Sequence, residues 1–381
     1  NLAVKGTINL ANISKVYPAL DIELSGILKA DISTNFDMYS IEKENYQNIK
    51  NAGKINVSNF KYDGTAVANS FYIKKAGITF NTNTIKLNEF DAKTGDSDVS
   101  ITGNLDNFYG FLFKNQVLKG DFSLSSNNFM VSDFLTDDAT ETQNTTETGQ
   151  LKIPAFLDCK FYANAKSVTY DNINLKNVSG TIYVKDQAVK LQDIKSEVFG
   201  GNIGFTGRVS TKEKTSKFSM DLNLKELNIA ESFGTLDMLK SIAPIAKTIE
   251  GKINSTVTVS GDLNEDLTPD LKTISGKLLG QLLNTKLKPS NSKALTLLGD
   301  KASFLDVNKL NLDKVTGFFS FDNGVVTVKP IPLQYEDIGM KIGGTHGFDN
   351  AMKYDLTFDI PVKYLGTDVT TLIATLSPKD A

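Results

Sequence analysis

The sequence predicts a mainly β protein: an elongated, curled antiparallel sheet built from degenerate repeats, with an apolar groove and a few short amphipathic helices. Apolar and polar residues alternate strictly in many runs, such as residues 54–57 (KINV) and 218–224 (FSMDLNL). This period of two buries one face of a strand and leaves the other in water, which is typical of antiparallel sheets. Turn sequences separate the runs, for example Lys-Asp-Gln at 185–187 and Asn-Gly at 323–324.

A degenerate repeat is the second observation behind this fold class. Residues 76–103, 180–207 and 317–344 align without a gap, and each copy ends on glycine. The spacing predicts a hairpin, a bend and a third strand that ends at the glycine. Each copy carries six apolar residues whose spacing predicts one concave, groove-lining face: Ile78, Phe80, Ile85, Leu87, Val99, Ile101, Ile182, Val184, Val189, Leu191, Ile203, Phe205, Phe319, Phe321, Val326, Val328, Met340 and Ile342.

Residues 37–52 interrupt the strand pattern and predict an amphipathic helix. Ile41, Asn45 and Ile49 would share one helical face, and Gly53 follows in the position of a C-cap.

A second helix is predicted over residues 229–250, where apolar residues recur at helical spacing up to Gly251. Pro244 should kink this helix or split it into two, because proline removes a helical hydrogen bond. A shorter helical stretch is predicted over residues 367–376 near the end of the sequence.

The domain organisation follows from one polar tract. Residues 137–149 (DDATETQNTTETG) contain no large apolar residue and predict a mobile loop. We therefore expect a first β module over residues 1–136 and a second β-rich region over 150–381, continuous with the first.

Composition narrows the classes of function. The 381 residues suffice for two or three domains or one elongated body, and 40% of them are hydrophobic. A net charge of −3 lacks the basic surplus of nucleic-acid binders, so no nucleic-acid partner is expected. No apolar run reaches the roughly 18 residues of a membrane-spanning helix. Because the first residue is Asn1 rather than Met, we expect a fragment whose anchor or targeting segment lies upstream.

Residue types that support catalysis are scarce. His346 is the only histidine, and its place after a repeat glycine predicts a surface turn. Cys159 lies in an alternating run and predicts a structural thiol. One histidine and one cysteine exclude a zinc site. The neighbouring acids Asp96 and Asp98 predict solvated turn residues. We expect no cofactor, no metal and no enzymatic activity.

The glycine-rich residues 198–207 (VFGGNIGFTG) have two interpretations: a phosphate-binding loop, or the bends and strand ends of a β-sheet. The stretch lacks both the P-loop and the dinucleotide-binding patterns, and no helix follows Gly207. Its place in the repeat favours the sheet: Gly200 and Gly201 bend the chain into a strand, and Gly207 ends that strand.

The same region carries a family resemblance. Residues 178–210 (VSGTIYVKDQAVKLQDIKSEVFGGNIGFTGRVS) resemble the hallmark of AsmA-like proteins, a strand-rich element that ends in a glycine-rich strand. Residues 6–32 (GTINLANISKVYPALDIELSGILKADI) and 238–271 (MLKSIAPIAKTIEGKINSTVTVSGDLNEDLTPDL) also fit. The resemblance covers nearly the whole chain and points to the C-terminal, periplasmic portion of AsmA-like proteins from Bacteroidetes-type bacteria.

This resemblance implies a protein of the Gram-negative cell envelope, with its β-rich body in the periplasm. It also implies an inner-membrane anchor, an N-terminal helix that lies outside this sequence. The wider family includes TamB-like and bridge-like lipid-transfer proteins, whose elongated sheets form a hydrophobic groove. Phospholipid acyl chains are the implied partner, other envelope proteins are further partners, and no catalytic residues are implied.

Three functions are therefore compared. The leading one binds or conducts phospholipid along the groove between the inner and outer membranes and supports outer-membrane homeostasis. The alternative is a non-enzymatic envelope scaffold or outer-membrane protein assembly factor, whose groove is plugged by the helices at 37–52 and 229–250. A carbohydrate-active protein is the third, although the lack of tryptophan counts against it. For any single groove candidate, a place in the core is the simpler interpretation.

Overall fold

The fold is known from a computed structural model. It describes residues 2–12, 23–45, 48, 50–63, 69–81, 84–134, 152–243, 246, 248–265, 267–288, 306, 309–347 and 352–364. Eighteen strands dominate these residues, which confirms the mainly β fold class. In chain order the strands are β1 Leu2–Asn9, β2 Glu23–Asn35, β3 Lys50–Asp63, β4 Phe71–Asn81, β5 Ile85–Thr94, β6 Ser97–Asp106, β7 Leu118–Met130, β8 Leu157–Tyr170, β9 Ile173–Lys185, β10 Ala188–Val198, β11 Gly201–Ser210, β12 Lys217–Asn228, β13 Ile249–Asp262, β14 Ser275–Leu287, β15 Thr316–Asp322, β16 Val325–Tyr335, β17 Ile338–Gly347 and β18 Met352–Asp359.

The α-helices in the described residues are short. They are α1 Met38–Glu42, α2 Phe108–Lys114, α3 Ile229–Thr235 and α4 Asp237–Ile242. Single 3₁₀ turns occupy Val131–Phe134, Leu271–Thr273 and Val362–Tyr364.

The chain forms two compact units. Unit 1 contains Asn1–Glu197, Gly204–Ser219 and Asp262–Thr268, and unit 2 contains Val198–Ile203, Met220–Gly261 and Pro269–Ala381. Strands β1 to β10 thus fall in unit 1 (apart from the last residue of β10) and β13 to β18 in unit 2 (apart from the last residue of β13), while β11 and β12 contribute residues to both.

Unit 1 is a meander in which each strand from β1 to β10 pairs with the next one in sequence. All of these pairs are antiparallel except β7–β8, which is parallel. Parallel neighbours need a long crossover, and residues 131–156 provide its length. The strands on either side of the predicted loop at 137–149 therefore lie in one unit; that loop itself is outside the described residues.

Unit 2 repeats the antiparallel meander from β13 to β18. Between β16 and β17 the register shifts between Val328 and Ile331, and Pro330 lies in the shifted segment. Proline has no N–H to give to a ladder, so a shifted segment is where a strand tolerates it.

The structure confirms the repeat as a three-stranded unit. Its copies are β4–β6, β9–β11 and β15–β17. The same repeat positions face each other in every hairpin, as in the pairs Ile78–Leu87, Ile182–Leu191 and Phe319–Val328. Two of the hairpin turns fall at residues 186–187 and 323–324, as the sequence predicts. Left-handed backbone at both residues of each turn matches the twist of the flanking strands.

The repeat glycine does not end the third strand, contrary to the prediction. β6 continues three residues beyond Gly103, and β11 and β17 continue equally far beyond Gly207 and Gly344. At Gly103 the reason is packing, because a Cβ would lie 2.5 Å from the ring of Phe122. The glycine therefore makes room inside a strand for a neighbouring ring.

The predicted helix at 37–52 is wrong beyond its first turn. α1 begins where Asp37 accepts a hydrogen bond from the Ser40 N–H at 2.7 Å, and Glu44 follows it in left-handed backbone. β3 then begins at Lys50 and includes Gly53, the predicted C-cap. Residues from Lys50 onward alternate in burial and pair with β2, and this pairing overrides a weak helical spacing.

The predicted helix at 229–250 is two short helices, but the break is at Leu236 rather than Pro244. Leu236 has extended backbone between α3 and α4, and residues 244–245 lie outside the described residues. β13 begins at Ile249, so Gly251 lies inside a strand, at a register shift with φ of +132°. The predicted helix at 367–376 also lies outside the described residues.

Gly103→Ala is expected to lower the free energy of unfolding by about 1–3 kcal/mol, because the added methyl collides with the Asp121 carbonyl oxygen and with the Phe122 ring. Gly6→Ala is the matched control, since no heavy atom lies within 4 Å of its added Cβ. Urea denaturation of both variants measures the difference. Equal stability of the two variants would contradict the packing role of Gly103.

Candidate functional site

The strongest site feature of unit 1 is a row of mainly apolar residues that runs through all ten strands. Residues that pair across neighbouring strands point to the same face of a sheet, so the register defines the row. We call it the first apolar row, and its members are Gly6, Ala30, Ile55, Ile78, Leu87, Gly103, Phe122, Phe161, Ile182 and Leu191.

A second apolar row lies beside the first, two residues away along every strand. Its members are Val4, Ile32, Gly53, Phe80, Ile85, Leu105, Gly120, Cys159, Val184 and Val189. With strands about 4.8 Å apart, each row runs roughly 40 Å across unit 1. The two rows together form a continuous strip, which we call the apolar face of unit 1.

Aromatic rings fill the gaps that glycines leave in this face. The Phe122 ring lies against Gly103 and Gly120, where an added Cβ would come within 2.5 and 2.6 Å of it, and it stacks on Phe161 with ring centroids 5.2 Å apart. The Phe80 ring lies over Gly53 in the same way. These contacts explain why glycines recur in strands, where they are otherwise unfavourable.

Most apolar side chains of this face are half-buried rather than buried. Ile55, Ile78, Leu87 and Ile182 all remain partly accessible. Phe122 is among the more enclosed members, with 8% of its surface exposed. Side chains in a closed core lose nearly all of their accessible surface, so this face keeps accessible apolar area along its length.

The structure brings most sequence-predicted candidates of unit 1 together on this one face. Val99 and Ile101 share it, because they alternate with Gly103 along β6. Phe205, in the part of β11 that belongs to unit 1, is half-buried. The candidates that lie within the two rows are Ile78, Phe80, Ile85, Leu87, Ile182, Val184, Val189 and Leu191.

The candidates in unit 2 are mostly enclosed. Phe321 and Val326 face each other and are 2% and 0% exposed. The buried members are Phe321, Val326, Val328 and Met340, and the half-buried ones are Ile203, Phe319 and Ile342. Unit 2 therefore uses the same repeat positions as a hydrophobic core.

His346 lies in this core and not in a surface turn, which corrects the sequence prediction. It is 4% exposed, sits in β17, and pairs with Val326 on one side and Met352 on the other. Its Nδ1 lies 2.9 Å from the Tyr354 hydroxyl. The turn was expected because the strand was predicted to end at Gly344, whereas β17 continues to Gly347.

Asp98 is a structural acceptor and not a solvated turn residue, whereas Asp96 does lie in the exposed turn before β6. The β6–β7 pairing ends at Ser100–Ser125, and the Asp98 carboxylate then accepts the next β7 donors. These are the backbone N–H groups of Asn127 and Asn128 at 3.0 and 2.8 Å and the Asn127 side-chain amide at 2.8 Å. Partial burial alone would raise the pKa of Asp98, but the hydrogen bonds from Asn128 and Asn127 hold it below the usual value.

Cys159 is a buried thiol in the second apolar row, as the sequence predicts. It is 5% exposed, its Sγ lies 3.6 Å from the Leu118 carbonyl oxygen, and burial raises its pKa. A raised pKa keeps the sulfur protonated and unreactive, so Cys159 fits a packing role.

The opposite face of each sheet is polar. It carries a depression of about 480 Å³ in unit 1, lined mainly by Ser, Asn, Asp and Lys side chains such as Asp98, Asn164 and Lys166. A second depression of about 500 Å³ in unit 2 includes Asn223, Glu226 and Gln281. Both linings carry several hydrogen-bonding side chains, which the two apolar rows lack, so the apolar face remains the candidate site for an apolar ligand.

Sequence reasoning missed several residues of the apolar face, notably Ile55, Phe122 and Phe161. They lie in β3, β7 and β8, outside the three aligned repeat copies. Their own strands alternate in the same way, so the signal was present. The cross-strand register, which aligns these residues with the repeats, could not be predicted from the sequence.

Two chemical features do not occur in the part of the chain that the structure describes. None of its helices combines the length and hydropathy needed to cross a membrane. No three His, Cys, Asp or Glu side chains gather there as a metal site would require.

Comparison with known proteins gives no family assignment. No protein-family model matches the sequence, and no curated protein matches it.

Asp98→Asn is expected to lower the free energy of unfolding by about 1.5–3 kcal/mol at neutral pH, because the β7 N–H groups lose a charged acceptor. A depressed folded-state pKa stabilises the fold above the unfolded value of about 4, and this contribution fades as pH falls through the folded value. The difference between wild type and variant should therefore shrink below about pH 4 in urea titrations. A difference that is constant from pH 7 to pH 3 would contradict the role of the charge.

Cys159 should react with Ellman's reagent at pH 8 about a hundredfold more slowly in the folded protein than in urea, because the buried thiol must first be exposed. Absorbance of the released thiolate follows the reaction. Rapid, complete labelling of the folded chain would show that this part of the second apolar row is open.

Proposed function

We propose that this chain is a non-enzymatic, AsmA-like periplasmic protein that binds or conducts phospholipid on the apolar face of unit 1. The observation that supports it best is the continuity of the two apolar rows across ten strands, in which most apolar side chains are half-buried. Val4 is exposed, and Ile85, Phe122 and Cys159 are the buried members. The proposed setting is transport between the inner and outer membranes in support of outer-membrane homeostasis. The family, the periplasmic location and an inner-membrane anchor come from the sequence resemblance.

The chemistry of the face suits acyl chains. Its rows offer hydrocarbon and aromatic surface, and burial of one methylene group there is worth about 0.8 kcal/mol. Hydrocarbon surface has no donors or acceptors with which to distinguish one acyl chain from another, so we propose low lipid specificity. Along uniform apolar rows, no single position binds an acyl chain much more tightly than the next. This favours movement of the acyl chain along the face.

Unit 2 favours the alternative function, an envelope scaffold or outer-membrane protein assembly factor. Its equivalent repeat residues, such as Val326 and Met340, are enclosed, and the α3 and α4 residues Phe233 and Ile242 are also buried. A closed core binds no acyl chain, so unit 2 would serve as a rigid support while unit 1 handles lipid.

Ile78→Asp is expected to abolish lipid binding while the protein stays folded, because a charge would sit in the half-buried first row. Thr79→Asp is the matched control, since the neighbouring residue of β4 is exposed on the polar face. Native mass spectrometry of protein purified without detergent detects co-purified phospholipid, and a fluorescent fatty acid tests uptake. Circular dichroism checks the fold.

Equal lipid content in Ile78→Asp and Thr79→Asp would contradict the proposal. A wild-type protein that carries no lipid and takes up no fatty acid would also contradict it, and would favour the scaffold function.

A further inference from the structure

Exposed apolar side chains of unit 1 concentrate at one end of its strands. Seven large apolar residues lie in the connections there, with 37–66% of their surface exposed: Phe36, Met38, Tyr39, Leu112, Phe113, Val117 and Phe156. They belong to α1, to α2 and to the segments that flank these helices or precede β8. We call these seven residues the helix rim.

The register places the helix rim at a single end of the sheet. Asn35 at the end of β2 pairs with Lys50 at the start of β3, so α1 lies between them at this end. Asp106 pairs with Lys119 in the same way around α2, and Leu157 begins β8 beside Leu118. The second apolar row lies nearer to this end than the first, and the pair Leu118–Leu157 continues it to the rim at β7 and β8.

The opposite end of the strands is different. Among the described residues toward that end, Ile8 and Phe134 are the large apolar side chains that remain exposed, at 50% and 37%. The neighbouring Asp133 carboxylate accepts the Ser97 hydroxyl at 2.6 Å and the Asp96 N–H at 3.0 Å. Polar, internally bonded groups mark this end, and its two exposed apolar side chains compare with seven in the helix rim.

Tertiary contacts hold the rim segments in place. The Lys114 ammonium of α2 donates to the Glu42 carbonyl of α1 at 3.2 Å, and Phe111 packs on Phe156 with centroids 5.5 Å apart. Ile41, only 7% exposed, anchors α1. The exposed side chains are therefore presented by ordered segments, which lowers the entropy cost of binding.

We propose that the helix rim inserts into the interfacial zone of a lipid bilayer, and so joins the bilayer to the apolar face of unit 1. This inference rests on the proposed function and adds the surface through which lipid would enter. Continuity at β7 and β8 favours a bilayer as the occupant, because the pair Leu118–Leu157 extends the second apolar row to the rim residues that precede it in each strand. Between that row and α1 the corresponding pair is polar, Thr34–Asn51, so the apolar path to the rim runs along β7 and β8. Exposed Leu and aromatic side chains are of the type that inserts into the bilayer interface.

The charges near the rim indicate how it binds. Lys43 lies 5.9 Å from the centre of the Tyr39 ring, where its ammonium can reach lipid phosphate while the ring sits at headgroup level. Asp37, Glu42 and Glu44 offset the nearby lysines. Insertion is therefore driven by apolar burial and not by attraction to anionic lipid, and the binding should depend little on salt.

Flotation with phosphatidylcholine vesicles tests the inference on the full chain. A quadruple variant, Met38→Ser, Tyr39→Ser, Leu112→Ser and Phe113→Ser, should bind vesicles about tenfold or more weakly than wild type. The matched control changes four exposed apolar residues elsewhere, Phe134→Ser, Tyr162→Ser, Leu279→Ser and Val325→Ser, and should bind like wild type. Wild-type binding should change less than about twofold between low and high salt.

Equal vesicle binding by both quadruple variants, or no binding by wild type, would overturn the inference. So would wild-type self-association that the rim variant alone abolishes, since the rim would then cover a second copy of the chain. Uptake of soluble fluorescent fatty acid separates this test from that of the proposed function. The rim variant should take up fatty acid normally, whereas vesicle binding by a wild type that takes up none would leave the rim intact and contradict the lipid-binding face.

Discussion

Cross-strand register is the constraint on which the rest of this structure depends. Side chains alternate between the two faces of a strand, so a slip of one residue would turn every apolar side chain to the polar side. In unit 1 the pairs Ile55–Ile78, Phe122–Phe161 and Ile182–Leu191 belong to one row, although their strands are far apart in sequence. The repeat supports this order, because each copy brings a hairpin with the same pairing. Even the parallel step from β7 to β8 keeps the rows aligned.

The same repeat has different packing in the two units. In unit 2 four of the seven repeat positions are buried in a core, and His346 is enclosed among them with its ring nitrogen beside the Tyr354 hydroxyl. In unit 1 nearly all of the same positions are half-buried, and Ile85 is the buried one. Local sequence therefore determines which face is apolar, while the elements that surround the face determine whether it is closed. This difference directs the proposed lipid binding to unit 1.

The fold class and the repeat could be predicted because both depend on local alternation and turn residues, as at Asn323–Gly324. The structure of residues 37–52 could not be predicted in the same way, since a few apolar residues at helical spacing fit both a long helix and a short helix followed by β3. Pairing of β3 with β2 selects the second alternative. The role of Gly103 depends on the Phe122 ring from another strand, which no local pattern reveals. Burial of the candidate residues is likewise non-local, so the sequence identified the apolar set without indicating which members remain accessible.

Exposure of an apolar strip of this length to water is energetically unfavourable, and this bears on its function. Contiguous exposed apolar surface promotes association unless something covers it, and large patches on soluble proteins usually mark binding surfaces. The strip of unit 1 is half-covered by its own neighbouring side chains, and the glycines let the rings of Phe80 and Phe122 lie flat within it. Such packing reduces the exposed area without closing the face. The proposed ligand, an acyl chain, would cover what remains, because it needs no hydrogen bonds that these side chains do not offer. The difference between the two strand ends would then give the proposed binding face a direction: hydrocarbon continues outward to the helix rim at β7 and β8, whereas the hydrogen-bonded Asp133 carboxylate marks the other end.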